Sequence, residues 1–194
     1  MTRILIASAL TATTLVAPVL ATPRVLALDV AATSISFVLD ATAHKVEGRL
    51  FLESGEIRFD LETGEAGGEI VIDAVRAETG NRRRDKTMHR KVLESASFPR
   101  FVFSPNRIEG ELPERGDGEL VLGGTLAIHG AEHEVTLPVR LRRDGDALSA
   151  TAELVVPYVE WGLHRPGALF LRVAPDVLVR IEAVGKLSGP SDTP

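Results

Sequence analysis

Two histidines, His129 and His133, are the residues of this sequence whose types and spacing first suggest metal chemistry. Three residues separate them, and Glu132 and Glu134 lie beside them. Such a spacing matches zinc sites when both histidines lie on a helix. The intervening Gly130-Ala131 instead favours a turn between two strands, which would point the rings apart. We therefore predict surface histidines, no metal site and no cofactor.

A basic cluster is the second candidate for chemistry. Its four cations, Arg82, Arg83, Arg84 and Lys86, follow Asn81. At the start of a helix, free backbone N–H groups also favour anions, so a pyrophosphate or phenolic head group could be held there by charge-assisted hydrogen bonds. The alternative is a solvated basic surface that Asp85 and Glu94 balance. We expect Asn81 and Asp85 to be structural, connecting this segment to the rest of the fold.

Catalysis has little support in the sequence. The absence of Cys removes thiolate catalysis, Cys-ligated zinc, disulfides and a lipid-modified Cys anchor. The chain also lacks a Gly-x-Ser-x-Gly elbow and a Gly-rich phosphate loop before a helix. A formal charge of −5 over 194 residues provides no overall field for nucleic acid. We therefore predict a binding protein, not an enzyme, without a nucleic-acid partner.

The N-terminal segment has the pattern of a secretory signal peptide. A basic residue precedes an apolar run from Ile4 to Leu20, and small-residue cleavage patterns end at Ala21 and Ala27. We predict removal of residues 1–21, with cleavage after Ala27 as the alternative. No other segment approaches the roughly 18 apolar residues of a transmembrane helix. The sequence therefore predicts an exported protein that does not span a membrane.

Alternation of apolar and polar residues dominates the next part of the chain, which we predict to be one domain over residues 28–187. Such alternation is typical of strands with one buried face. Turns are expected at Ser54-Gly55, at 63–68 and at Asp144-Gly145, and a bulge or bend is expected at Gly123-Gly124. The alternating segments are 34–39, 45–52, 56–61, 69–74, 101–103, 120–128, 135–141, 148–156 and 177–183.

A helix interrupts the alternation after the fourth strand. Between Thr79 and Phe98, the residues Met88 and Val92 have helical spacing, and Thr79 or Asn81 is a suitable N-cap. Eight or nine strands with one short helix predict an all-β, antiparallel barrel of about eight strands, because closure removes exposed edges. A barrel of this size holds its own side chains or one small ligand.

Two further segments lie outside this pattern. Residues 157–167 contain the only Tyr and the only Trp. We expect Trp161 to plug one end of the barrel, with stacking of Trp161 and Tyr158 on a bound ring as the alternative. Residues 188–194 are polar and Pro-containing, and we predict a disordered tail.

Four segments, in this order along the chain, resemble the signature of the YceI-like family. Together they extend over almost the whole predicted domain. They are Phe37…His44-x-Val46-x-Gly48; Thr79-Gly80-Asn81-x-x-Arg84-Asp85-x-x-Met88, followed by Val92-Leu93-Glu94 and Phe98-Pro99-Arg100-Phe101-Val102-Phe103; Gly124-x-Leu126-x-Ile128-x-Gly130, followed by Val135-Thr136-Leu137-Pro138-Val139; and Tyr158-Val159-Glu160-Trp161-Gly162-Leu163.

The resemblance implies a lipocalin-like barrel in the bacterial periplasm that binds a long amphiphilic lipid, typically with a polyisoprenoid tail. Burying such a tail gains about 25 cal/mol per Å² of apolar surface. Asn81 and Arg84 would then face the head group. The residues expected around the tail are Phe37, Phe59, Ile72, Phe101, Phe103, Leu126, Leu137, Trp161 and Val179, and further inward positions are Ile35, Ile57, Ile70, Val135, Leu154 and Ile181.

Other interpretations stay open at this point. The inward residues alone would fill a solid barrel, which would suit a ligand-free structural or stress-response module. A metal-dependent enzyme would need titratable groups that converge inside the barrel. The sequence leaves the oligomeric state undecided, with a twofold homodimer as one option.

Overall fold

Strands form most of the part of the chain that the structure describes. The computed structural model describes residues 23–42, 45–166 and 172–189, and over these residues it contains nine strands and one helix. In chain order these elements are β1 Arg24–Leu28, β2 Ser34–Leu39, β3 Val46–Phe59, β4 Ala66–Glu78, α1 Arg82–Lys91, β5 Arg100–Gly110, β6 Arg115–Ile128, β7 Ala131–Asp144, β8 Ala147–Val156 and β9 Val177–Ser188.

The strands close into an antiparallel barrel with eight positions around its wall. Strands β2 to β9 pair in sequence, and β9 returns to pair with β2. The short strand β1 shares the position of β2 between β3 and β9. It pairs with Glu56–Phe59 of β3 and with Gly185–Ser188 of β9, whereas β2 pairs with the opposite ends of both strands. The predicted all-β barrel of about eight strands is confirmed.

Strand β3 corrects one prediction, because it runs without a turn through Ser54-Gly55. The polar pair marks a bulge: the register with β4 shifts between Leu52 and Ser54. A Cβ at Gly55 would lie 2.6 Å from Leu28 Cδ1. Gly55 is therefore needed because the Leu28 side chain of β1 crosses this point. The glycine does not reverse the direction of the chain.

The predicted bulge at Gly123-Gly124 is also wrong in its placement. Both glycines keep an unbroken register with β7, and the shift lies on the neighbouring strand β5 between Pro105 and Arg107. A Cβ at Gly124 would lie 2.4 Å from the carbonyl oxygen of Ser104. The glycine therefore makes room for a bulge in its partner.

Helix α1 confirms the predicted helix and one of its two candidate caps. Asn81 Oδ1 accepts the backbone N–H groups of Arg83 and Arg84, both at 3.1 Å. His89, Arg90 and Lys91 form the last turn, where positive charge complements the helix dipole. Among the residues that the structure describes, no helix has the length and apolar character needed to cross a membrane.

The half of the barrel far from α1 has a continuous core, and we call it the packed half. Its buried side chains come from six strands and belong to a hydrophobic cluster that also extends into the other half, but none of them lines the cavity there. Two predicted inward residues, Ile57 and Phe59, are 6% and 4% exposed and lie here. The packed half is formed by Ile57, Phe59, Ile108, Leu120, Leu122, Leu141, Leu148 and Leu187, with Leu26 of β1 against them.

A predicted signal peptide and a predicted tail flank the domain. The predicted signal peptide, residues 1–21, lies outside the described residues. Of the predicted tail, Ser188 belongs to β9 and is paired with Val25, while residues 190–194 lie outside the described part.

Candidate functional site

A cavity of about 480 Å³ occupies the other half of the barrel, next to α1. We call this the hollow half. Its wall is almost wholly apolar and includes many of the predicted inward residues: Ile35, Phe37, Ile70, Ile72, Phe101, Phe103, Leu126, Val135, Leu137, Leu154, Val179 and Ile181. Period-two alternation thus places one continuous apolar surface around an unfilled volume.

One side of helix α1 covers the mouth of this cavity. Arg84, Thr87 and Met88, together with Val92 just after the helix, contribute to the lining. Their spacing of three and four residues places them on the same side of a helix. Within α1, the inward side is therefore partly polar, which distinguishes the mouth from the strand-built wall.

Thr79, the first residue after β4, anchors the first turn of the helix. Asp85 Oδ1 accepts the Thr79 backbone N–H at 2.8 Å and its hydroxyl at 2.5 Å. Arg84 Nε donates to Thr79 Oγ1 at 2.7 Å, and Arg84 Nη2 donates to the Thr79 carbonyl at 2.8 Å. These bonds fix the Arg84 guanidinium at the mouth, and they confirm the structural roles expected for Asp85 and for the Asn81 cap.

Arg84 is the only charged side chain among the described residues that line the cavity. No carboxylate in the described part of the chain lies within 4.0 Å of its guanidinium. A guanidinium has five N–H donors, and the bonds to Thr79 use two of them. The mouth therefore presents one fixed cation with further donor capacity.

His89 provides a second anchor for α1. Its Nε2 lies 2.8 Å from the Ala77 carbonyl, and its Nδ1 lies 3.0 Å from Ser95 Oγ. A carbonyl only accepts, so Nε2 carries the hydrogen, and in the neutral ring Nδ1 accepts from the Ser95 hydroxyl. Ser95 is buried, so this contact satisfies a polar group that would otherwise destabilise the fold.

Tyr158 adds a polar group to the cavity wall after β8. Its hydroxyl donates to the Ala174 carbonyl at 2.8 Å. Burial raises the pKa of Tyr158 because the phenolate loses solvation, while the charge of Arg165 acts in the opposite direction. The side chain therefore stays a neutral hydrogen-bond donor at neutral pH.

Trp161 lies at the same end of the barrel but outside the cavity lining. Its ring stacks on that of His133, with centroids 4.0 Å apart and an angle of 5° between the planes. The pairing of β7 with β8 ends at Val139 and Ala152. The stack of Trp161 on His133 therefore connects the loop after β8 to a part of β7 that is not paired with β8. Trp161 also packs against the core cluster, and its role as a plug stays a prediction.

Eight of the eleven predicted ligand-binding residues line the cavity: Phe37, Ile72, Arg84, Phe101, Phe103, Leu126, Leu137 and Val179. The structure places the other three elsewhere. Phe59 faces the packed half, Asn81 caps α1, and Trp161 stacks on His133. Sequence reasoning gave no site role to several other lining residues, among them Met88 and Thr87 of α1 and Ile128 of β6. The helical spacing of Met88 and Val92 was the available signal for the first.

The two histidines considered as metal ligands have different partners. His129 Nε2 lies 2.7 Å from Glu94 Oε2, and its ring packs against Phe98 with centroids 4.3 Å apart. His133 stacks on Trp161. Within residues 23–42, 45–166 and 172–189, no three His, Cys, Asp or Glu side chains converge on a common point suited to a metal ion.

Solved structures with the same fold include proteins of low sequence identity. A polyisoprenoid binding domain from Saccharophagus degradans, implicated in plant cell wall breakdown, has 17% identity and a TM-score of 0.66, covering 87% of this chain and 99% of that one. Burkholderia cenocepacia BcnA also has 17% identity and a TM-score of 0.66, covering 81% and 98%. The YCEI protein of Campylobacter jejuni has 15% identity and a TM-score of 0.51, covering 76% and 81%.

Sequence comparison gives a match at the level of the family. No curated protein matches the chain. The sequence profile of the YceI-like domain matches residues 26–185, which include every strand from β2 to β8, nearly all of β9, most of β1, and α1. The chain therefore belongs to the YceI-like family.

Proposed function

We propose that this protein binds a long-chain amphiphilic isoprenoid lipid non-covalently in the hollow half of its barrel, and stores or transfers that lipid in the periplasm. The observation that carries the proposal is the apolar cavity of about 480 Å³ with one fixed cation at its mouth. Its volume falls within the roughly 300–1,000 Å³ typical of small-molecule sites. The polyisoprenoid-binding domain with the same fold supports this choice of ligand.

Energetics favour an occupied cavity. At about 24 cal/mol per Å³, a dry void of about 480 Å³ would cost up to about 11 kcal/mol. That is comparable with the total stability of a typical domain, about 5–15 kcal/mol. An apolar tail offsets this cost and also gains about 25 cal/mol for each Å² removed from water.

The head group has a natural place beside Arg84. The lipid tail would extend from α1 toward the packed half, since the wall between them is apolar. The polar end would then lie at the mouth, where the remaining Arg84 donors suit carbonyl, phenolic or phosphate oxygens. This orientation leaves no polar group of the ligand buried without a partner.

Export would follow from the predicted signal peptide, and the strand pairing favours one of its two cleavage sites. Cleavage after Ala21 leaves β1 intact, whereas cleavage after Ala27 would remove four of its five residues. Those residues pair with both β3 and β9. We therefore expect the exported protein to begin at Thr22, which the intact mass of periplasmic material will report.

Native mass spectrometry of protein purified from the periplasm tests the proposal. We expect a discrete mass excess that disappears under denaturing conditions and extracts as a polyprenyl species. Phe103→Asp should abolish it, because a carboxylate would face the apolar tail, whereas Val75→Asp should not, because Val75 is 53% exposed. Two results would contradict the proposal: a folded Phe103→Asp variant that retains the ligand, or wild-type apoprotein that stays unchanged after incubation with isoprenoid quinones.

A further inference from the structure

Helix α1 carries a dense patch of exposed positive charge. The helix has six basic residues and one acidic residue, so its net charge is +5 with His89 neutral, although the whole chain has a net charge of −5. Arg84 is directed to the cavity mouth. The other five cations, which we call the basic patch, are exposed: Arg82, Arg83, Lys86, Arg90 and Lys91.

The basic patch differs from the rest of the surface in how its charges are partnered. Elsewhere in the described part of the chain, nine of the fifteen Lys and Arg side chains lie within 4.0 Å of a carboxylate. No residue of α1 is among them. Arg82, Lys86 and Arg90 are also spaced four residues apart, an arrangement in which like charges destabilise a helix. The patch therefore concentrates unneutralised positive charge, of which only Arg90 and Lys91, in the last turn, favour the helix through its dipole.

Neighbouring acidic groups leave this charge available. Both hydrogen bonds of Asp85 Oδ1 come from Thr79, on the side of the helix near the barrel. Glu94, which follows the helix, is bonded to His129. The field of the patch is thus directed outward from the cavity mouth, where it attracts anionic surfaces.

We propose that the basic patch docks the mouth of the barrel onto an anionic lipid bilayer. This inference rests on the proposed function, because a lipid ligand has to pass between a bilayer and the cavity. A single helix separates the two: Arg84 and Met88 line the cavity, while Arg82, Lys86 and Arg90 are exposed on the opposite side of the helix. A bilayer suits these observations better than an acidic protein, because the apolar cavity next to the patch takes ligands that reside in membranes.

Vesicle flotation with two charge-matched variants tests the docking. Arg82→Gln/Lys86→Gln removes one Arg and one Lys from the patch. Arg24→Gln/Lys186→Gln removes the same charges from exposed positions at the far end of the barrel. We expect wild type to float with vesicles of equal parts phosphatidylglycerol and phosphatidylcholine, and not with phosphatidylcholine alone. The patch variant should partition about 30-fold less, the effect of about two surface cations, and the far-end variant should match wild type.

The possible outcomes separate docking from ligand binding. Equal losses in both variants would mean that net charge alone drives association, which overturns the proposal. Wild-type protein that does not float with anionic vesicles would also overturn the proposal, and would leave an acidic protein as the partner to test. Native mass spectrometry of the same three proteins reports lipid retention independently. Because Arg82 and Lys86 do not line the cavity, the patch variant should keep its lipid.

Discussion

The hollow and packed halves of this barrel are made by the same strands, yet their interiors differ. Phe103 in the hollow half is 5% exposed and Phe59 in the packed half is 4% exposed. Both belong to the same buried cluster, but Phe103 also lines the cavity and Phe59 does not. Exclusion from solvent is therefore distinct from close packing, and only the second provides the full dispersion energy of a core. We infer that one half mainly stabilises the fold and the other mainly serves binding.

Truncation of the two phenylalanines should give the largest difference between the halves. Phe59→Ala opens a new void in a filled region and should lower the free energy of unfolding by about 3–5 kcal/mol. Phe103→Ala enlarges an existing cavity, so we expect a loss of at most about 2 kcal/mol, mainly the transfer of its own surface. Urea denaturation of ligand-free protein measures both. Equal losses would show that the two interiors are equally packed.

Enlarging side chains should again destabilise the packed half more than the hollow half, with a smaller effect. Leu122 and Leu137 are cross-strand partners on β6 and β7, but only Leu137 lines the cavity. Leu122→Trp should destabilise the protein by about 1–3 kcal/mol through overpacking. Leu137→Trp should leave the thermal midpoint nearly unchanged and displace the lipid, because the indole occupies the cavity. Thermal unfolding with native mass spectrometry checks both, and lipid retention in a folded Leu137→Trp protein would contradict the boundary between the halves.

Alkaline titration should give the smallest effect, and it concerns the hollow half alone. The folded-state pKa of Tyr158 is raised above its unfolded value of about 10, mainly by burial. The resulting stability is fully present below pH about 10 and is lost as pH rises through the folded-state pKa. Tyr158→Phe should remove this dependence.

Because the chain has one tyrosine, phenolate absorbance reports Tyr158 directly. A bound tail should raise its pKa further, since Tyr158 lines the cavity. An unchanged titration on lipid loading would place the ligand away from this wall.

Local sequence patterns predicted most of the strands and the helix, because alternation and capping depend on neighbouring residues. They failed where a distant strand decides the outcome. Gly55 marks the point where Leu28 crosses β3, and Gly124 makes room for a bulge in β5. Neither glycine makes the turn or bulge that its type suggests locally.

The candidate site shows the same limit. Period-two alternation identified the inward positions, and eight of the eleven predicted residues line the cavity. The alternation shows which residues of a strand point inward. It does not show how far along the barrel axis each of them lies, so Phe59 was grouped with Phe103. Whether an inward side chain meets another side chain or empty space depends on all eight positions of the wall together.

The pairing of β9 has a consequence for the order of folding. This strand bonds to β2 in the hollow half and to β1 in the packed half, and the contact of Thr33 with Val184 spans 151 residues. Contacts so distant in sequence are slow to form, because loop closure must precede them. Neither half can therefore be complete before β9 pairs, and a nascent chain that lacks residues 177–188 cannot form the closed core or the cavity.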